Sequence, residues 1–129
     1  MDMTSSRQKE IIGIYVAAYN SFDVEAMLQF VHPDVVFKNV AGGEVNATAT
    51  GIHEFREVAE QSKSLFSARC QQITGLESVG DTATVDISYE GVLAADLPNG
   101  MKTGDILKLK GRSVFEFLDG KLHRITDFS

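Results

Sequence analysis

The residue types that most often do chemistry are scarce in this chain, which holds three histidines and one cysteine among its 129 residues. A protein metal site needs donors spaced to meet on one face, as in His-x-x-x-His or paired cysteines. His32, His53 and His123 have no such spacing, so neither a metal nor a cofactor is expected. Cys70 has no cationic or helix-terminal neighbour readable from sequence that would lower its thiol pKa, so a buried, inert thiol is expected. Gly42-Gly43 lacks the strand-glycine-helix setting of a phosphate loop. The tyrosines remain. Tyr19 follows Tyr15 by one helical turn, and Tyr89 alternates with Val85 and Ile87. Their hydroxyls could be polar tips in an otherwise apolar cavity, or the rings could be ordinary aromatic core.

The elements that position these side chains follow from periodicity. From Gln8 to Phe22, apolar residues recur at Ile11, Ile12, Tyr15, Val16, Ala18, Tyr19 and Phe22, a helical period with a wide buried face. Asp23 can cap a short second helix through Val24, Met27, Leu28 and Val31, which His32-Pro33-Asp34 ends. Val35 to Val40 is a β-branched and aromatic run suited to a strand, stopped by Ala41-Gly42-Gly43. The Ala/Thr/Asn segment that follows reads as a loop, including the sequon Asn46-Ala47-Thr48. A third helix begins at Thr50 or Gly51 and carries Ile52, Phe55, Val58, Ala59, Ser62, Leu65 and Phe66 along one side as core packing. Beyond Ser67 the period changes to two, with turns at Gly80-Asp81, Pro98-Asn99-Gly100 and Asp119-Gly120, which predicts four strands in a meander. In Leu107 to Phe117 the odd positions are mostly apolar and the even ones mostly charged, so one face is buried.

The fold class expected is α+β: a curved, cone-shaped antiparallel sheet packed against three N-terminal helices, forming one domain over residues 1–129 with 1–7 flexible. Long strands curl, and helices on the concave side of such a sheet leave a hollow lined by inward residues. No apolar run approaches the ~20 residues that span a bilayer. The N-terminal residues lack the basic-then-apolar pattern of a signal peptide, so a cytoplasmic location is expected. A net charge of −6 opposes binding to nucleic acid. The basic stripe Lys108, Lys110 and Arg112 lies on one face of a strand, where solvent or a partner subunit accounts for it.

The order helix, short helix, strand, helix and four strands resembles the NTF2-like superfamily, which includes ketosteroid isomerase, the SnoaL-type polyketide cyclases and limonene epoxide hydrolase. The resemblance runs from about Gln8 to Phe128. It is strongest at Tyr15-Val16-Ala17-Ala18-Tyr19-Asn20 with Phe30 and Asp34 following, which is similar to the first helix and strand of the isomerases. It implies that Tyr15 is a hydrogen-bond donor to a developing enolate oxygen. Asn39 falls where that family keeps its carboxylate base, and Ser113 where it keeps a second, protonated carboxyl. An amide cannot take a proton from carbon near neutral pH, so both departures count against steroid isomerisation.

The same comparison turns His123, Ile125 and Asp127 inward on the last strand, with Leu122, Arg124, Thr126 and Phe128 outward. Asp127 becomes the candidate base, Tyr15 its partner, and Asn39, Tyr19, Tyr89, Ser113, Phe115 and Ile125 the candidate substrate-binding residues. The competing reading is that Asp127 only hydrogen-bonds Tyr15 or a nearby backbone amide. The function implied is a small-molecule pocket protein with acid–base isomerase, cyclase or hydratase chemistry on an apolar carbonyl compound. The alternative is a non-catalytic ligand-binding or dimerisation module. Relatives pair through the outer sheet face, so a homodimer using the face of Arg112, Val114 and Glu116 is expected.

Overall fold

A computed structural model describes residues 4–129, and residues 1–3 of the segment expected to be flexible lie outside the described part. Helix α1 spans Ser5–Asn20, so Ser5 to Arg7 are helical, and Thr4 caps the helix by accepting the Arg7 amide at 3.1 Å. Its buried side is Gln8, Ile11, Ile12, Tyr15, Val16 and Ala18. Phe22 takes a left-handed φ of 61° and turns the chain. Asp23 then accepts the Ala26 amide at 3.1 Å and starts α2, Val24–Leu28.

The remaining elements are β1 (Val31–Ala41), β2 (Glu44–Thr50), α3 (Ile52–Ser64), β3 (Phe66–Val79), β4 (Thr82–Leu93), β5 (Ile106–Leu118) and β6 (Lys121–Phe128). They form one six-stranded sheet in the order β2-β1-β6-β5-β4-β3, so β2 and β3 are free edges and the sheet does not close. Strands β3 to β6 make the expected antiparallel meander, and β6 then pairs parallel to β1. Register shifts in β1, β3 and the β5–β6 pair add curvature, because a bulge bends and twists the strand that carries it. The helices fill part of the concave side: α1 lies against β3, and α3 against β1 and β2.

Four local readings are corrected. The Ala/Thr/Asn segment with Asn46-Ala47-Thr48 is strand β2, an edge strand in which only Ala49 is buried. His32-Pro33-Asp34 does not separate helix from strand, since β1 already begins at Val31. Leu122 is fully buried instead of facing out, because the register shift between Glu116 and Phe117 reverses alternation at the start of β6. Cys70 is exposed, because its neighbour Arg69 takes the inward position on β3. Gly111 sits where an added Cβ would lie 2.7 Å from the Phe128 carbonyl oxygen, so the close approach of β6 needs glycine there.

Candidate functional site

Strand register brings the candidate residues into rows across the concave face. One row runs Phe37, Ile125, Phe115, Ala83 across β1, β6, β5 and β4. The next, two residues along each strand, runs Asn39, Asp127, Ser113, Val85. Asp127 therefore has Asn39 on one flank and Ser113 on the other, three polar side chains beside that apolar row. Tyr15 and Tyr19 reach the same region from α1, with the Tyr15 ring edge-on to Phe115 at 5.7 Å.

A cavity of about 570 Å³ lies between these rows and the helices. Tyr15, Tyr19, Asn39, Ser113, Phe115 and Asp127 all line it. Its apolar wall comes from Met27, Phe37, Phe55, Val58, Ala59 and Leu65. A second, smaller cavity of about 230 Å³ shares Tyr19, Asn39, Gln71, Ser113 and Asp127, and adds Tyr89. Of the candidate residues only Ile125 stands apart: it is fully buried in the core and lines neither cavity. Sequence reasoning missed the α3 wall, whose stripe is indistinguishable from core packing by periodicity. It also missed Gln71, a polar residue on an alternating strand.

The Ser113 hydroxyl donates to Asp127 Oδ1 at 2.6 Å. Asp127 keeps some exposure through the cavity, but its carboxyl is surrounded by protein, and this burial raises its pKa above the ordinary 3.8 while the Ser113 bond works in the opposite direction. Tyr15 is pushed well above 10.0, first by burial and then by the nearby Asp127 and Tyr19, with Arg69 opposing, so its proton is firmly held. The Tyr15 hydroxyl makes no hydrogen bond among the described residues, and none of their buried side-chain polar atoms is left unpartnered. That hydroxyl therefore opens onto the cavity. Asn39 donates to Asn46 Oδ1 at 2.8 Å, which ties its amide nitrogen to β2 and leaves its carbonyl oxygen free of that bond.

Behind the tyrosines lies a buried arginine. Arg69 donates from Nε to the Tyr19 carbonyl at 2.9 Å and from Nη1 to Ser62 Oγ at 3.4 Å. Its guanidinium stands 3.6 Å from the Tyr19 ring centroid and 4.5 Å from that of Phe22. A cation suits the carbonyl end of α1, where the helix dipole is negative. Of the histidines, His32 and His123 contact each other edge-on at 5.0 Å, away from the cavity, and no cluster of three or more possible metal-binding side chains occurs among the described residues.

The cone of helices and curved open sheet around this cavity defines an NTF2-like domain. More narrowly, the chain belongs to the SnoaL-like domain family, whose profile matches residues 14–125. Among solved structures, a Xanthomonas campestris protein provisionally named a polyketide cyclase superposes with a TM-score of 0.81 at 20% identity, covering 96% of this chain and 90% of its own. TerC, co-crystallised with polyporic acid, gives 0.75 at 21% identity, with 94% and 89% covered. A Catenulispora acidiphila protein with a ketosteroid isomerase-like fold, in complex with trimethylamine, gives 0.76 at 17% identity, with 93% and 85% covered. At these identities the likeness is one of fold. Among curated proteins none matches this sequence. No helix of the described residues is long and apolar enough to cross a membrane.

Proposed function

We propose that the chain binds a small apolar carbonyl compound in the larger cavity and moves a proton on the carbon beside the carbonyl, as an isomerase, cyclase or hydratase of this fold would. The observation that carries this reading is the placement of Asp127 and Tyr15 on one cavity, a carboxyl and an unclaimed phenol facing an apolar wall. In its charged form Asp127 is the base. Tyr15, held protonated, donates to the oxygen on which negative charge develops. Ser113 holds one carboxylate oxygen, leaving the other for the substrate proton, and Asn39 orients the ligand from the opposite flank. Apolar surroundings raise the proton affinity of the carboxylate toward the range a base needs near neutral pH. TerC, a neighbour of this fold, is co-crystallised with polyporic acid, which supports reading the cavity here as a small-molecule site.

The test is proton exchange in heavy water. A naphthyl ketone incubated with the protein should take up deuterium beside its carbonyl, and Asp127→Asn should abolish the excess over buffer. Binding without exchange would favour the second reading, a non-catalytic ligand-binding module. That reading draws on Asn39, which stands where an isomerase-like domain would carry its base.

A further inference from the structure

We infer that Arg69 is a positioning residue of the larger cavity: acting through Tyr19, it keeps a positive charge behind the phenols of α1, so a bound ligand turns its oxygen toward that end and carries negative charge there more readily. This rests on the proposed function and says which end of the site receives the charge that proton transfer creates.

Arg69 is only 6% exposed, and no carboxylate forms an ion pair with it among the described residues. A buried cation without a counter-ion is costly, so the groups that receive it matter. They are the Tyr19 carbonyl on α1, Ser62 Oγ on α3 and the ring faces of Tyr19 and Phe22. Tyr19 and Ser62 also line the larger cavity, whereas Arg69 does not. The guanidinium therefore grips two walls of the cavity from behind.

That charge is placed to one side. Tyr15 lies one helical turn before Tyr19 on the same face of α1, and both line the cavity. Asp127 is on β6, and β5 and β4 stand between β6 and the strand of Arg69, β3. Burial raises the pKa values of Tyr15 and Tyr89, and Arg69 works against that rise at both. At Asp127 the influence opposing burial is the Ser113 bond instead.

Proton transfer shifts charge across this asymmetry. When Asp127 takes a proton from carbon, the electron pair of the broken C–H bond passes through the carbonyl carbon to its oxygen. The carboxylate becomes neutral and an equal negative charge appears on the oxygen facing Tyr15. Charge leaves the side held by Ser113 and arrives on the side backed by Arg69, which the cation favours. Because the cation acts on the displaced charge more than on the neutral ligand, its loss should alter turnover more than binding.

The test compares two variants. Arg69→Lys keeps the charge and loses the forked geometry, and Arg69→Gln keeps an N–H for the Tyr19 carbonyl and loses the charge. Exchange of deuterium into the naphthyl ketone reads turnover. A nitronaphthol, whose neutral and ionised forms absorb differently, reads ionisation of a bound oxygen with no turnover needed. Arg69→Gln should lower exchange about tenfold with KM little changed, and the bound naphthol should ionise about one pH unit higher than in wild type. That is the size expected of one charge acting across roughly 10 Å at an effective dielectric constant of about 20. Arg69→Lys should stay close to wild type in both. If Arg69→Gln does not fold, Arg69→Met, which keeps an apolar stem without the charge, replaces it. Equal effects of the charged and uncharged variants, or no shift in either, would overturn the inference and leave the cavity as a binding site. The expected naphthol shift without exchange in wild type would uphold the placement of charge and remove the proposed proton transfer. Failure of the naphthol to bind wild type would remove both.

Discussion

Replacing Asp127 by asparagine should change how stability depends on pH, with a sign the structure fixes. In the folded chain burial raises the Asp127 pKa above its ordinary value of 3.8. The folded state therefore holds this proton more tightly than the unfolded state does. Stability from this group is greatest below the ordinary carboxylate pKa and is lost as pH rises through the folded pKa. Between those two values the native state binds up to one more proton than the unfolded chain, so the slope reaches at most about 1.4 kcal/mol per pH unit. The asparagine variant keeps an oxygen that can accept the Ser113 hydroxyl but has no charge to bury. Tyr15 stays protonated across this window, since its own pKa is pushed up. Urea unfolding of both proteins from about pH 3 to about pH 8 gives the difference in stability, in which the other titrating groups largely cancel. Wild type should lose ground to the variant as pH rises and then level off. A difference that is flat, or that favours wild type increasingly as pH rises, would refute the idea that the carboxylate sits in a poorly solvated site.

Tyr15→Phe should lower proton-exchange turnover about a hundredfold, the typical cost of one oxyanion donor, while the retained ring against Phe115 keeps the melting temperature nearly unchanged; comparable losses in both would mean a structural role. Ser113→Ala removes the bond that opposes the upward shift of Asp127, so the pH at half-maximal turnover should move upward, and a downward shift in the pH–rate profile would contradict the assignment. Self-association through the outer sheet face, where Arg112 pairs with Asp86 at 3.1 Å beside Val114 and Glu116, should give a dimer mass by sedimentation at micromolar concentration, and a monomer mass would exclude it.

Much of the architecture was legible because hydrophobic period reports burial. The buried side of α1, the Asp23 cap and the alternation of the second half of β5, where Ser113, Phe115 and Phe117 are buried, follow from residue spacing, whereas Leu109, expected on the same buried face, is exposed because β6 pairs with β5 only from Arg112 onward. Edge strand β2 was not legible: Glu44-Val45-Asn46-Ala47-Thr48-Ala49-Thr50 buries only Ala49, so almost nothing selects it for apolar character and its pairing with β1 alone makes it a strand. Leu122 was misplaced because a bulge reverses alternation, and a period-two pattern cannot announce where it will slip. Arg69 was invisible as a buried residue, since a guanidinium goes inside only where carbonyls and ring faces receive it, and those come from α1, fifty residues earlier in the chain. In the site, sequence comparison placed Asp127, Tyr15, Asn39 and Ser113 near one another, but periodicity could not tell a side chain packed against neighbours from one facing empty space. That is why Phe55, Val58 and Ala59 read as core although they form a cavity wall.

The central claim is that the larger cavity holds a carbonyl compound between a phenol donor and a carboxylate base. Isotope-filtered nuclear Overhauser contacts between bound acetylnaphthalene and the labelled protein test it most directly. The account predicts that the naphthyl ring contacts Phe55, Val58 and Ala59, and that the acetyl methyl group lies close to Asp127 and Tyr15. Contacts confined to the outer sheet face, or an acetyl group turned away from both side chains, would contradict it.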